Sequence, residues 1–176
     1  MVKLDTLEVR HRARGIRLVV TDVDGVLTDA GVYYSARGEE LKRFSMRDGM
    51  GVERLRNARI ETAFVTRENS PIVVQRAHKL RVLHTHLAVQ DKREFLARWL
   101  SKMSIPRSQV AYIGDDVNDL EAMRYVAEGG LTGAPSDAMP EVLEVSHFRA
   151  TQRGGHGAFR EFAELLINSQ TQEHDG

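Results

Sequence analysis

Short β-branched runs that stop on acids constrain this chain more than any other feature. "RLVVTDVDGVLTD" (17–29) breaks from Leu-Val-Val into Asp22, Asp24 and Asp29, and "VAYIGDDVNDLEAM" (110–123) breaks into Asp115, Asp116 and Asp119. Apolar runs at 16–22, 61–66, 81–86 and 109–114, with shorter ones near 130–132 and 145–148, alternate with segments of helical period at 50–58, 71–80, 92–103, 118–126 and 156–168. That alternation predicts an α/β fold built on a parallel sheet. Helix starts are marked by Ser70 before Pro71 and by Asp91 before Lys92. One segment breaks the pattern: "GVYYSARGEELKRF" (31–44) reads as a β-hairpin with arms at 31–35 and 40–44 around Ala36-Arg37-Gly38. A two-stranded ribbon is marginal alone. Its edges and its Tyr33, Tyr34, Leu41 and Phe44 want another surface, such as a second subunit.

The 176 residues, 41% hydrophobic and 28% charged, predict a single domain over 1–176, with a core over about 16–168 and an unstructured tail at 169–176. Lys plus Arg (25) balances Asp plus Glu (25), so no overall field invites nucleic acid or an anionic membrane. The absence of cysteine excludes disulfides, thiolate metal sites and Cys nucleophiles. No leader-type apolar segment opens the chain and no stretch approaches transmembrane length, so a cytoplasmic protein is the default expectation.

In parallel α/β sheets ligands bind beyond the C-terminal ends of strands, so two acid clusters distant in sequence can meet there. Oxygen donors without Cys or clustered His suit a hard cation such as Mg²⁺, which keeps several waters and pairs with phosphate oxygens. Either cluster alone fits a turn or a helix start as well as a site. Two further strand ends shift the balance: Thr66 closes "ETAFVT" with a hydroxyl, and Lys92 opens a helix with an ammonium. Residues i and i+2 lie on one side of an extended strand, so Asp22 and Asp24 can reach one phosphoryl group.

The order Asp-x-Asp, Thr, Lys, Gly-Asp-Asp-x-x-Asp resembles the phosphatases of the haloacid dehalogenase superfamily. "GEELKRFSMRDGMG" and "RGGHGAFREF" narrow the likeness, over 16–167, to 3-deoxy-D-manno-octulosonate 8-phosphate phosphatase and its nonulosonate 9-phosphate relatives. The resemblance implies a Rossmann-like parallel sheet flanked by helices, a protruding hairpin and no cap domain. It also implies a homotetramer in which each hairpin helps to build a shared barrel over neighbouring sites. By the same likeness Asp22 is the nucleophile that becomes an aspartyl-phosphate, and Asp24 is the acid–base group. Mg²⁺ is held by Asp22, the Asp24 carbonyl and Asp115. Thr66 and Lys92 bind phosphoryl oxygens, while Asp116 and Asp119 orient Lys92 or metal-bound water. The implied substrate is a phosphorylated 3-deoxy-2-keto sugar acid.

After Thr66 the eight-carbon branch commonly shows Thr-Gly-Arg, whereas this chain has "TRENS". Glu68 with Arg76 and Lys79 resembles the nonulosonate branch, so the nine-carbon substrate is expected ahead of the eight-carbon one. The three residues are expected on one rim, since positions three or four apart share a helix face. Arg47, beside Asp48 and the hairpin, and Arg153, in a Gly154-Gly155 loop expected to act as a lid, complete the substrate-binding set. A broader sugar-phosphate phosphatase and a catalytically idle tetramerising module are the alternatives. The idle module would be expected to lose Asp22, Asp24 or Lys92, and all are present. His84 and His86 read as strand residues, and Phe95, Leu96 and Trp99 as a buried helix face.

Overall fold

The computed structural model describes residues 6–171. Six parallel strands, β1 Leu18–Thr21, β4 Glu61–Val65, β5 His84–His86, β6 Val110–Ile113, β7 Leu131–Ala134 and β8 Phe148–Arg149, stand in the order β5-β4-β1-β6-β7-β8. A separate antiparallel ribbon pairs β2 Thr28–Ser35 with β3 Gly38–Phe44. The central strands read as continuous apolar runs, because helices bury both of their faces. Alternate residues then enter opposite cores. Val19, Phe64 and Ile113 pack with α1 Thr6–Gly15, α2 Met46–Asn57, α3 Pro71–Leu80 and α7 Ala158–Thr171. Leu18, Val20, Val65 and Tyr112 pack with α4 Lys92–Met103, α5 Leu120–Ala127 and α6 Pro140–Val145.

From β1 the sheet grows one way through β4 to β5, and from β6 the other way through β7 to β8. The direction of winding therefore reverses between β1 and β6, the place where open α/β sheets bind ligands.

Several boundaries differ from expectation for local reasons. α2 begins at Met46 rather than 50, because the Ser45 side chain accepts from the Arg47 and Asp48 N–H groups. β5 is shorter than 81–86, because Arg81 caps α3 in a left-handed conformation with φ 58°. Val145 ends α6 rather than opening a strand, so β8 starts at Phe148. Neither α1 nor α6 was expected. α1 buries only Val9 and Ala13, and it is held instead by Arg12, which donates to the carbonyls of Ala127 (2.9 Å) and Gly130 (3.0 Å). The expected unstructured tail is partly helical: α7 runs to Thr171, and Gln170 donates to the Ile16 carbonyl at 3.0 Å. Residues 172–176 lie outside the described residues.

His84 and His86 lie on the edge strand as expected. Leu96 is buried, whereas Phe95 and Trp99 are only partly so, packing on the His86 ring at 4.6 and 4.9 Å between centroids. The ribbon keeps Tyr33, Tyr34 and Leu41 exposed at 66%, 69% and 63%. Among the described residues, no helix is long and apolar enough to cross a membrane.

Candidate active site

Strand register decides which side chains meet. Thr21 of β1 pairs with Phe64 of β4 and with Ile113 of β6, so Asp22, Thr66 and Asp115 leave three adjacent strands at nearly one level. Asp22, 4% exposed, joins Asp115 and Asp119, with one carboxylate oxygen of each within 4.8 Å of the others. Lys92, in the first turn of α4, is buried among them, its Nζ 2.9 Å from Asp22 Oδ2 and 2.6 Å from Asp119 Oδ1.

Asp119 is saturated. Its Oδ1 also accepts from the Tyr112 hydroxyl (2.7 Å), and its Oδ2 accepts from the N–H groups of Asp115 (3.0 Å) and Asp116 (3.4 Å). It therefore positions Lys92 and shapes the loop after β6. Asp115 Oδ1, by contrast, is buried with no hydrogen-bond partner.

Burial, then the charge of Asp119, pushes Asp22 up to about 7 against the pull of Lys92. Burial, then Asp22, Asp119 and Asp116, pushes Asp115 up to about 8. For Lys92, burial acts to lower the pKa, but Asp22 and Asp119 outweigh it and raise it. With all three carboxylates ionised, one ammonium leaves two negative charges unbalanced, a deficit that a divalent cation matches. The all-oxygen donor set and the unpartnered Asp115 oxygen fit a hard cation of this kind. Gly25, with φ +85°, makes the close approach possible: a Cβ there would sit 1.8 Å from Asp115 Oδ2.

Asp24 lies beside this cluster on different partners. Its Oδ1 accepts from Lys42 Nζ at 2.6 Å and from the Thr28 hydroxyl at 3.4 Å, and its Oδ2 is buried without a partner. Lys42, whose side chain is 1% exposed, also lies 3.3 Å from Glu39 Oε2, and Glu39 Oε1 accepts from the Ser70 hydroxyl. Ser70 thus occupies the cap position of α3 without capping it. Lys42 did not figure in the sequence-based expectations. The signal was present in the period-two pattern of β3, where 42 and 44 turn inward and 41 and 43 outward.

Thr66 is buried, and its hydroxyl accepts from the Glu68 N–H at 3.2 Å, which leaves the hydroxyl hydrogen free to donate. Two acids of the clusters stand apart. Asp29 is exposed and pairs with Arg43 at 3.1 Å. Of the two acids expected to orient Lys92 or metal-bound water, Asp119 meets Lys92, whereas Asp116 caps the short turn at Val117–Asp119 through the Val117 N–H.

The expected rim of Glu68, Arg76 and Lys79 does not form within one chain. Glu68 lies in the exposed loop ahead of α3. Arg76 turns onto the Ser45 carbonyl (3.0 Å) and the Phe44 ring (5.4 Å). Lys79, in the last turn, lies beside Glu53, Arg56 and Arg81, about 13 Å along the helix from Ser70 at 1.5 Å per residue. Arg47 is exposed on the first turn of α2. Its neighbour Asp48 is turned away, 1% exposed, accepting from the N–H groups of Gly157 (3.1 Å) and Arg160 (3.0 Å) at the start of α7. Arg153 pairs with Asp137 at 3.0 Å. The adjoining glycines form a packed brace rather than a lid: a Cβ at Gly154 would sit 1.8 Å from the Gly25 carbonyl, and the Gly155 N–H donates to Val26 O at 2.9 Å.

No family model matches the chain. Among curated proteins it is 37% identical over 163 residues to 3-deoxy-D-manno-octulosonate 8-phosphate phosphatase KdsC of Yersinia pestis, covering 93% of this chain and 86% of that one. The solved 3-deoxy-D-manno-octulosonate 8-phosphate phosphatase of Moraxella catarrhalis, in complex with magnesium ion, phosphate ion and KDO, is similar at TM-score 0.89 and 34% identity, over 96% of this chain and 95% of that one. The cobalt-bound deoxy-D-mannose-octulosonate 8-phosphate phosphatase of Haemophilus influenzae is similar at TM-score 0.86 and 34% identity, over 94% and 96% of the two chains. A buried acid cluster at the β1/β6 crevice, on a fold and sequence shared this closely, makes the protein an enzyme of the phosphoric monoester hydrolase class. Likeness across nine-tenths of the chain, in sequence and in fold alike, places it in the 3-deoxy-D-manno-octulosonate 8-phosphate phosphatase family of the haloacid dehalogenase superfamily.

Proposed function

We propose that this chain hydrolyses a phosphorylated 3-deoxy-2-keto sugar acid in a Mg²⁺-dependent reaction through an aspartyl-phosphate at Asp22. The observation that carries the reading is the convergence of Asp22, Asp115, Asp119 and Lys92 in the β1/β6 crevice. Mg²⁺ would be held by Asp22, the Asp24 carbonyl and Asp115, and when bound it offsets the negative charge of the acids and the phosphoryl oxygens. Asp22 attacks phosphorus, and the bond from phosphorus to the sugar oxygen breaks with its electron pair on that oxygen. Asp24 supplies the proton that makes the leaving group an alcohol. Water then attacks phosphorus and gives a proton to Asp24. The bond from phosphorus to Asp22 breaks, returning the carboxylate and releasing inorganic phosphate. Lys92 and Thr66 bind phosphoryl oxygens throughout, with Asp119 holding Lys92 in place.

A single domain that assembles as a homotetramer in the cytoplasm belongs to the same reading. The exposed Tyr33, Tyr34 and Leu41 of the ribbon support the assembly.

Two substrates of the class have support. The relatives named above carry the name of the eight-carbon acid. Glu68, an exposed acceptor just beyond Thr66, favours the nine-carbon acid, whose additional hydroxyl can meet it. Phosphate release is to be measured from octulosonate 8-phosphate, nonulosonate 9-phosphates and simple sugar phosphates, with and without chelator. The expected result is Mg²⁺-dependent turnover of the sugar acids, a higher kcat/KM for the nine-carbon acid, and a smaller gap in Glu68→Arg. A wild-type preference for the eight-carbon acid would remove the Glu68 reading, and equal turnover of simple sugar phosphates would remove the sugar-acid class.

A further inference from the structure

We propose that Lys42 is a positioning residue for proton transfer, holding Asp24 by Oδ1 so that Oδ2 is the oxygen that gives and takes the proton. The proposal rests on the reading of Asp24 as the acid–base group.

The torsion that orients a carboxyl group is broad and roughly two-fold, so nothing within Asp24 itself decides which oxygen faces the reacting atoms. Lys42 decides it. An ammonium has three N–H donors and no acceptor, and this one lies 2.6 Å from Oδ1. The Thr28 hydroxyl donates to the same oxygen at 3.4 Å. A proton on Oδ1 would face those donors head-on. Oδ2 has no partner in the protein, so a proton there meets no opposing donor.

Lys42 is itself fixed. Its side chain is 1% exposed, and Glu39 holds its Nζ at 3.3 Å. Glu39 is tied in turn to the hydroxyl of Ser70, which is 2% exposed at the start of α3. The chain Asp24–Lys42–Glu39–Ser70 therefore spans the loop after β1, the ribbon and α3. An exposed ion pair would hold its partners loosely and contribute little. Here the ammonium is out of solvent, its partners Asp24 and Glu39 are only 22% and 18% exposed, and Glu39 is anchored in turn on Ser70. Two of the three Lys42 donors are directed at Asp24 and Glu39. The proton that leaves Oδ2 goes to the sugar oxygen, which has received the electron pair of its bond to phosphorus, and the proton that returns to Oδ2 comes from the attacking water.

The test is leaving-group release in the first turnover, compared between the preferred sugar-acid phosphate and p-nitrophenyl phosphate, whose leaving group departs without a proton. Wild type, Lys42→Met, Glu39→Gln and Asp24→Asn are compared, with folding checked by circular dichroism. Lys42→Met should slow sugar release by about 10–100-fold, a share of the 10²–10⁴ that acid–base help supplies. Its p-nitrophenolate release and its KM should stay near wild type. Glu39→Gln, which loosens Lys42 without removing it, should show the same asymmetry at smaller size, and Asp24→Asn the same asymmetry at larger size. If Asp24→Asn slows both substrates equally, the reading of Asp24 as acid fails. If Asp24→Asn is asymmetric while Lys42→Met slows both equally, or changes KM alone, the proposal for Lys42 is overturned. Should Lys42→Met not fold, Glu39→Gln decides: an asymmetric loss supports the proposal, and a symmetric or absent loss overturns it.

Discussion

Asp22 and Asp115 are carboxyls that the fold makes costly to ionise, and that cost is what prepares them for a cation. With values of about 7 and about 8 against the ordinary 3.8, the folded, metal-free protein keeps protons that the unfolded chain has already released. Their contribution is therefore greatest below about pH 4 and is lost as pH rises through about 7 and 8. Cation binding needs them ionised and displaces those protons. The gain in thermal midpoint on adding Mg²⁺ should thus increase between about pH 6 and pH 8; a gain that does not change would count against Asp22 and Asp115 as the ligands. Asp22→Asn should abolish phosphate release, because an amide is a poor nucleophile. It should leave the metal-free midpoint near wild type below about pH 7, where Asp22 already carries a proton and Asp119 still holds Lys92. Turnover near the wild-type rate would discard the aspartyl-phosphate. The order of motifs in the sequence singled out Asp22, Asp24 and Asp115. It could not separate Asp119 from Asp116 or Asp29, because acids in turns look alike until a partner is known.

Among the elements, the link between α2 and α7 carries a consequence for stability. Asp48, in the first turn of α2, accepts two N–H groups at the start of α7, more than a hundred residues later. Burial raises its pKa, while the N–H groups of Arg160 and Gly157 act to lower it. Asp48→Ala should cost about 1–2 kcal/mol, the upper range for a lost helix cap, and lower the thermal midpoint by about 2–8 °C for a chain of this size. KM should not change. A raised KM at an unaltered midpoint would return Asp48 to the substrate. The same lesson applies to α3. Its span is legible to the residue, from Pro71 to Leu80, yet its direction carries Lys79 away from Thr66, and only the packed helix shows this.

For the whole molecule, the open question of assembly centres on the ribbon. Thr28 pairs with Phe44 and Tyr33 with Leu41, and the tyrosines and Leu41 face solvent in the single chain. A capless site needs cover from water, and a neighbouring copy is the available surface. Light scattering should report a tetramer, and Tyr33→Asp should reduce assembly and activity together without unfolding the sheet. A fully active wild-type monomer would sink the tetramer.

By itself the sequence determined the type of every central element, though not α1 or α6, together with the parallel α/β class and the acids at two strand ends. These depend on local periodicity and on residues that terminate strands and start helices, and both act over a few positions. Only the tertiary structure decided that Asp22 and Asp115 share one crevice, because that follows from β1 and β6 being neighbours in register. It alone also placed Lys42 on Asp24, gave Asp48 to α7 and parted Lys79 from Glu68. Each of these is a pairing or a separation set by how whole elements pack, which local periodicity does not record.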